Sequence, residues 1–228
     1  MPIIQLFQRH VDILKSRVLL FILVIYLAPE SLAQAQSLSV PDQLIERYAE
    51  YHLTLTSDSE LEQPLFLLLE EAQQYRDANP ASAEAWAATA RIRFGYANTQ
   101  GMVTGLDLIK ESRQELEQAI TLDASAQEGA ALAFLGYLYA GMPPWPLGFG
   151  SSKKAAELLE AALKISDSSM ANNYYYAVYL FAKTKRHEEA TQRLLRAKAS
   201  AAALPAQPHM QALRLRGIDE LLQRIAED

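Results

Sequence analysis

The stretch Tyr174-Tyr175-Tyr176-Ala177-Val178-Tyr179-Leu180-Phe181 places large apolar residues along one helical segment, and a short polar break at 183–186 follows it. A second helical pattern then runs over 188–197, with Ala190, Leu194 and Ala197 at helical spacing. Small residues on that face allow two antiparallel helices to approach closely, while the aromatic rings fill the wedge between neighbouring units. The pattern predicts a helix–turn–helix repeat, which is typical of binding scaffolds more than of catalysts.

The same alternation of helical segments and breaks extends along the chain. Glycine and proline concentrate at 95–105 and 141–150, which predicts two long loops between otherwise continuous helices. Alanine and leucine dominate, and no segment favours strands, so the predicted class is all-α. We expect helices at 42–55, 64–78, 82–96, 106–122, 127–140, 152–165, 170–183, 187–202 and 208–226.

These helices can be paired into about four irregular units over residues 42–204. Trp86 fills an early aromatic position in the second unit, Gly136 and Ala155 fit the third, and Leu68 and Ala72 support the first. On these residues the chain resembles tetratricopeptide-repeat proteins of the exported bacterial type, whose unit has 34 residues. The resemblance implies an α-solenoid, with the helix at 208–226 as a carboxy-terminal cap.

The amino terminus has the features of an export signal. Arg9, Lys15 and Arg17 precede an uncharged apolar run at 18–28, and Ala33-Gln34-Ala35 offers small residues for a signal peptidase. An uncleaved membrane anchor is the alternative, but a span needs about 20 apolar residues and this run is shorter. We expect residues 1–35 to be a cleaved signal peptide, and 36–228 to form a single helical repeat domain in the periplasm, with no stable membrane insertion after cleavage.

The composition argues against several classes of function. The 228-residue chain has a formal net charge of −6 and no basic run, which argues against nucleic-acid binding. It contains no cysteine, and this rules out a disulfide framework or a lipid attached to a cysteine.

The loop at 142–150, Met-Pro-Pro-Trp-Pro-Leu-Gly-Phe-Gly, is the most distinctive motif. It is loosely similar to the corresponding loop of the periplasmic T-component associated with tripartite ATP-independent periplasmic (TRAP) transporters. Prolines stiffen such a loop and glycines let it turn sharply. Trp145 and Phe149 are expected either to line a ligand pocket as a lid or wall or, as we favour, to plug a splayed helix pair, because exposed aromatic rings are costly.

A second candidate surface follows from the repeat geometry, because first helices line the concave side of a solenoid. By this alignment the concave side has tyrosines with a few cationic and amide groups, a set that suits a protein or peptide or an amphipathic organic anion. Its members are Arg91, Phe94, Tyr137, Asn172, Tyr175, Tyr179 and Lys183.

The chain offers few signs of catalysis. His52, His187 and His209 lack the spacing of a zinc site, and no phosphate loop or nucleophile motif is present. We therefore expect no catalytic residue, no metal and no cofactor. The favoured function is an exported scaffold for protein–protein interaction; the first alternative is a small-molecule-binding accessory subunit of a TRAP transporter, and an all-helical enzyme is the second. A closed aromatic-lined cavity favours the accessory subunit, whereas an open groove favours the scaffold.

Overall fold

The computed structural model describes residues 38–201 and 207–228, and within them the regular structure is entirely helical. The predicted signal segment, 1–35, lies outside the described residues. The helices are α1 Val40–Thr54, α2 Asp58–Ala78, α3 Ala83–Asn98, α4 Met102–Asp123, α5 Ala126–Gly141, α6 Ser152–Ile165, α7 Met170–Tyr179, α8 His187–Ser200 and α9 Pro208–Glu227, and a π-helical turn, Leu180–Thr184, extends α7.

The predicted helices are confirmed, with two departures. The long loop predicted at 95–105 is wrong, since α3 runs to Asn98 and α4 begins at Met102, and the start predicted for α2 is six residues too late. This helix begins at Asp58 and contains Pro64, the residue predicted from the sequence as its start. An interior proline costs an α-helix about 3 kcal/mol or more. A capping box offsets part of that cost: Ser57 accepts a hydrogen bond from the backbone N–H of Glu60, and the Glu60 carboxylate accepts one from the Ser57 N–H.

Consecutive helices pair into four hairpins, α1/α2, α3/α4, α5/α6 and α7/α8. The first helices of the hairpins also pack on one another in order, α1 on α3, α3 on α5 and α5 on α7. This is the stacking of an α-solenoid, in which the first helices form an inner layer and the second helices an outer layer.

Small residues make the close helix contacts that the sequence predicts. Ala190, Leu194 and Ala197 on α8 are fully buried. At Gly136 of α5, an added Cβ would lie 2.7 Å from Cγ of Leu159 on α6, closer than real Cβ contacts occur. The α5/α6 hairpin therefore requires glycine at this position.

Helix α9 does more than cap the last hairpin. It packs on α8, as a cap would, and it also reaches α7 and α1, the first helix of the solenoid. The buried Glu46 carboxylate on α1 accepts hydrogen bonds from the backbone N–H groups of His209 and Met210, both at 2.9 Å. Farther along α9, Arg216 Nη2 donates to the carbonyl oxygen of His52 at 2.8 Å. The carboxy-terminal helix thus connects both ends of the inner layer.

None of the helices in the ranges 38–201 and 207–228 is long and apolar enough to span a bilayer.

Candidate ligand-binding cavity

A cavity of about 270 Å³ lies between the inner layer and α9. All four first helices and α9 contribute to its wall. The lining residues are Tyr48, Arg91, Phe94, Phe134, Tyr137, Tyr174, Tyr175, Met210, Leu213, Arg214, Arg216, Gly217 and Glu220.

Packed aromatic rings form one wall of the cavity. Phe94 meets Phe134 edge-on with ring centroids 5.4 Å apart, and Phe134 stacks on Tyr137 at 5.9 Å. Tyr137 in turn lies 5.1 Å from the ring of Tyr175. These rings come from α3, α5 and α7, so the stacking of successive hairpins creates a continuous apolar surface.

Arg91 is held against this wall. Its Nη1 donates a hydrogen bond of 2.6 Å to the hydroxyl of Tyr175, and its Cζ lies 4.4 Å from the centroid of the Phe134 ring. Burial acts to lower the pKa of Arg91, but the phenols around it, Tyr175 first, outweigh burial and leave that pKa raised. The guanidinium is therefore a fixed positive charge in the cavity.

Arg214 projects into the same cavity from α9. Burial, with the charge of Arg91 as the second cause, lowers the pKa of Arg214 to about 10, so the side chain remains charged at neutral pH. In the part of the chain that the structure describes, no carboxylate oxygen lies within the 4.0 Å ion-pair distance of Arg91 or Arg214. Glu220 lines the cavity but lies 4.0 Å from Arg216, also a lining residue.

Next to the cavity, a buried arginine is paired with carboxylates. Arg93, two residues after Arg91, is buried and donates through Nε and Nη2 to the Glu115 carboxylate at 2.9 and 2.8 Å, with Glu111 at 2.6 Å. A buried charge is costly unless it is paired. Arg91 and Arg214 are only half-buried, and neither has a carboxylate partner within 4.0 Å among the described residues.

The tyrosines supply neutral hydroxyl groups. Burial raises the pKa of Tyr48, Tyr137 and Tyr174, so all three are protonated at physiological pH. Tyr174 packs on α9 where Gly217 lacks a side chain: a Cβ there would lie 2.8 Å from its hydroxyl. A neutral phenol can donate or accept a hydrogen bond, which gives the cavity uncharged polar groups beside its arginines.

Four of the predicted concave-side residues meet in this cavity: Arg91, Phe94, Tyr137 and Tyr175. The other three do not line it. Lys183 is exposed on the π-helical turn, and the hydroxyl of the buried Tyr179 lies 3.4 Å from Ser152 Oγ on α6.

Asn172 has a structural role that explains its position away from the cavity. It is fully buried, and its Nδ2 lies within hydrogen-bond distance of the carbonyl oxygens of Glu128, Ala162 and Ser166. Glu128 belongs to the first turn of α5, where the backbone has left-handed φ values. The amide of Asn172 therefore ties this irregular turn to the end of α6.

The proline-rich loop separates its two aromatic residues, and neither lines the cavity. Phe149 packs edge-on to Tyr139 at 5.2 Å, beneath the guanidinium of Arg113 at 4.9 Å. Trp145 is 85% exposed, so the sealing role expected for it is wrong. The loop is anchored through Phe149, whereas Trp145 projects to solvent.

Several lining residues were not predicted from the sequence. Phe134 lies one turn before Tyr137, so helical spacing on α5 could have found it. Tyr48 belongs to the first repeat unit, for which the sequence pattern is weakest. Arg214 and the other α9 residues had no signal, because nothing in the local sequence shows that a terminal helix packs against the first one.

The three histidines of the described residues have separate partners. His209 lies near Glu46, His187 lies 3.5 Å from the Asp228 carboxylate, and His52 packs on Tyr48. Among the described residues, no group of three or more histidine, aspartate or glutamate side chains is placed to hold a metal ion.

Residues 70–223 match the protein family described as TRAP transporter T-component. The match covers more than half of the chain, and it includes α3, α5, α7 and most of α9, the helices that form most of the cavity. No curated protein sequence gives a significant match. The chain belongs to the TRAP transporter T-component family, as the similarity of its proline-rich loop implied.

Proposed function

We propose that this protein is a periplasmic accessory subunit of a TRAP transporter that binds a small molecule in the cavity beneath α9. Family membership supports the association with a transporter. The role is one of binding, with no chemical step, since the ionisable groups of the cavity are two arginines and neutral phenols beside the Arg216–Glu220 pair.

The observation behind the proposal is the position of α9. In a solenoid scaffold, the concave side is an open groove that receives an extended partner. Here α9 crosses that side and supplies Met210, Leu213 and Arg214 to the cavity wall. The result is a concave aromatic site with a few polar groups, the usual form of a small-molecule site.

The experiment compares two adjacent positions on α9. Leu213 lines the cavity, whereas Ala212 is exposed. The parent protein, Leu213→Trp and Ala212→Trp are purified from the host envelope and examined by native mass spectrometry for bound small molecules. We expect an adduct on the parent and on Ala212→Trp, and none on Leu213→Trp, because the indole fills the cavity.

Circular dichroism checks that the three proteins are equally helical. If the parent and both variants each show only the mass of their own polypeptide, the small-molecule function is wrong.

The transporter association has its own test. Mild cross-linking in the native envelope, followed by purification of the tagged protein, should recover TRAP transporter subunits. Recovery of unrelated envelope proteins alone would favour the scaffold. Terminal sequencing of the same preparation tests export, since a mature chain should begin at or near Gln36; an intact Met1 in the membrane pellet would contradict cleavage.

A further inference from the structure

We infer that the cavity selects a small monocarboxylate, with its carboxylate group between Arg91 and Arg214 and its apolar body on the rings of Phe94, Phe134 and Tyr137. This inference rests on the proposed function, because it names the class of molecule that the cavity binds.

The first step concerns the charge of the site. Four charged side chains line the cavity: Arg91, Arg214, Arg216 and Glu220. The Glu220 carboxylate lies 4.0 Å from Arg216 and is its ion-pair partner. Neither Arg91 nor Arg214 has a carboxylate within ion-pair distance among the described residues, and Glu46 and Glu128 act on Arg214 only from farther away. The guanidinium fork matches a carboxylate in two parallel hydrogen bonds, so an anionic group is the natural occupant.

The second step concerns the number of negative charges. The cation of Arg91 already lies over the rings of Phe134 and Tyr175, at 4.4 and 5.6 Å, and donates to the Tyr175 hydroxyl. Such contacts stabilise a cation without a counter-ion. Arg214 has no such ring contact and no side-chain hydrogen bond in the described structure. One negative charge, placed next to Arg214 and within reach of Arg91, therefore supplies the partner that Arg214 lacks.

The third step concerns the rest of the molecule. The wall of Phe94, Phe134 and Tyr137 is aromatic, and Met210 and Leu213 face it from α9. A volume of about 270 Å³ lies near the lower end of the range for small-molecule pockets, so the cavity suits a compact ligand. An aromatic or branched carboxylate of this size fills the cavity and places its ring on the wall.

The test uses probes that differ in one feature. Calorimetry measures the binding of phenylacetate, of phenylacetamide, which has the same shape without the charge, and of acetate, which has the charge without the ring. Phenyl phosphate provides a dianionic head on a similar ring. We expect phenylacetate to bind at least about tenfold more tightly than each of the others, since charge-assisted hydrogen bonds and ring burial each exceed 1.4 kcal/mol.

Variants of α9 assign the preference to a residue. Arg214→Gln should reduce phenylacetate affinity at least about tenfold and leave phenylacetamide nearly unchanged. Arg224→Gln removes a charge from the same helix at a position outside the cavity, and it should keep the preference. Because Arg214→Gln removes a charge that has no ion pair, it is not expected to unfold the protein, and a thermal melt verifies this.

Three outcomes would overturn the inference. Equal affinity for phenylacetate and phenylacetamide would show a cavity that ignores charge, and tighter binding of phenyl phosphate would show a site for a dianion. No binding of any carboxylate at millimolar concentration would exclude the class. In each case the adduct experiment on Leu213→Trp still decides separately whether the cavity binds a small molecule at all.

Discussion

Arg91 and Tyr175 are 84 residues apart in the sequence, yet Nη1 of the arginine donates a 2.6 Å hydrogen bond to the tyrosine hydroxyl. The arginine belongs to α3 and the tyrosine to α7, so the bond spans the inner layer past α5. It fixes the direction of the guanidinium and, with it, the geometry of the cavity. The first prediction removes this bond alone.

Tyr175→Phe keeps the ring on the cavity wall and deletes the hydroxyl. We expect a loss of about 1–3 kcal/mol in the free energy of unfolding, because a hydrogen bond to a charged donor is lost inside the protein. Denaturant unfolding measures it. Tyr96→Phe is the matched control, since Tyr96 is partly buried outside the cavity, with its ring on Phe66. If both variants are equally stable, the Arg91–Tyr175 bond contributes nothing.

Arg214→Met should make the unliganded protein more stable at pH 7. The pKa of Arg214 is lowered from 12.5 to about 10, so the folded state disfavours the charged form. That penalty is fully present below pH 10 and is relieved as the pH rises from 10 towards 12.5, where the unfolded chain binds more protons than the folded one. Replacement by methionine removes the penalty at every pH.

We expect a gain on the order of 1 kcal/mol in unfolding free energy. Arg216→Met provides the comparison, since Arg216 has a carbonyl partner at His52 and a carboxylate partner at Glu220. A gain for Arg216→Met as large as that for Arg214→Met would show that the effect is not specific to the unpaired arginine.

The hairpins could be predicted from sequence because their signals are local. Ala190, Leu194 and Ala197 mark a close helix contact by spacing alone, and the structure buries all three. The start of α2 could not be predicted from Pro64, since the capping box of Ser57 and Glu60 sustains a helix through that proline. The helix-breaking effect of the proline and the helix-starting effect of the cap opposed each other there, and the helix begins at the cap.

The cavity could be predicted only in part, for a physical reason. Arg91, Phe94, Tyr137 and Tyr175 follow from the repeat register, which places equivalent first-helix positions on one side. The other half of the site depends on where α9 packs. That depends on contacts between residues more than 160 positions apart, such as the Glu46 carboxylate with the backbone N–H of Met210, and helical periodicity contains no information about them.

Ala190→Trp tests the packing of the last hairpin. Ala190 is fully buried on α8, so the indole should overpack the contact with α7 and cost about 1–3 kcal/mol or more. Ala199→Trp is the control, because Ala199 is exposed on the same helix. Thermal melting compares them. A melting temperature of Ala190→Trp equal to that of the control would contradict the tight α7/α8 contact.

The last prediction concerns the attachment of α9 to α1. The Glu46 carboxylate accepts the backbone N–H groups of His209 and Met210, which belong to the first turn of α9, where a negative charge also interacts favourably with the helix dipole. Glu46→Gln keeps the shape and removes the charge, so one of the two N–H groups loses its acceptor and the other keeps only a neutral one. We expect α9 to open more readily, by about 1–2 kcal/mol.

Hydrogen exchange followed by mass spectrometry should then show faster exchange in 211–221, while 155–165 in α6, which is not among the helices packed on α9, exchanges at the parent rate. Because α9 provides Arg214, the same variant should bind phenylacetate more weakly, through displacement of one cavity wall rather than loss of a contact to the ligand. Unchanged exchange in α9 would show that Met210, Ile218 and Leu221, its buried apolar residues, hold the helix without help from Glu46.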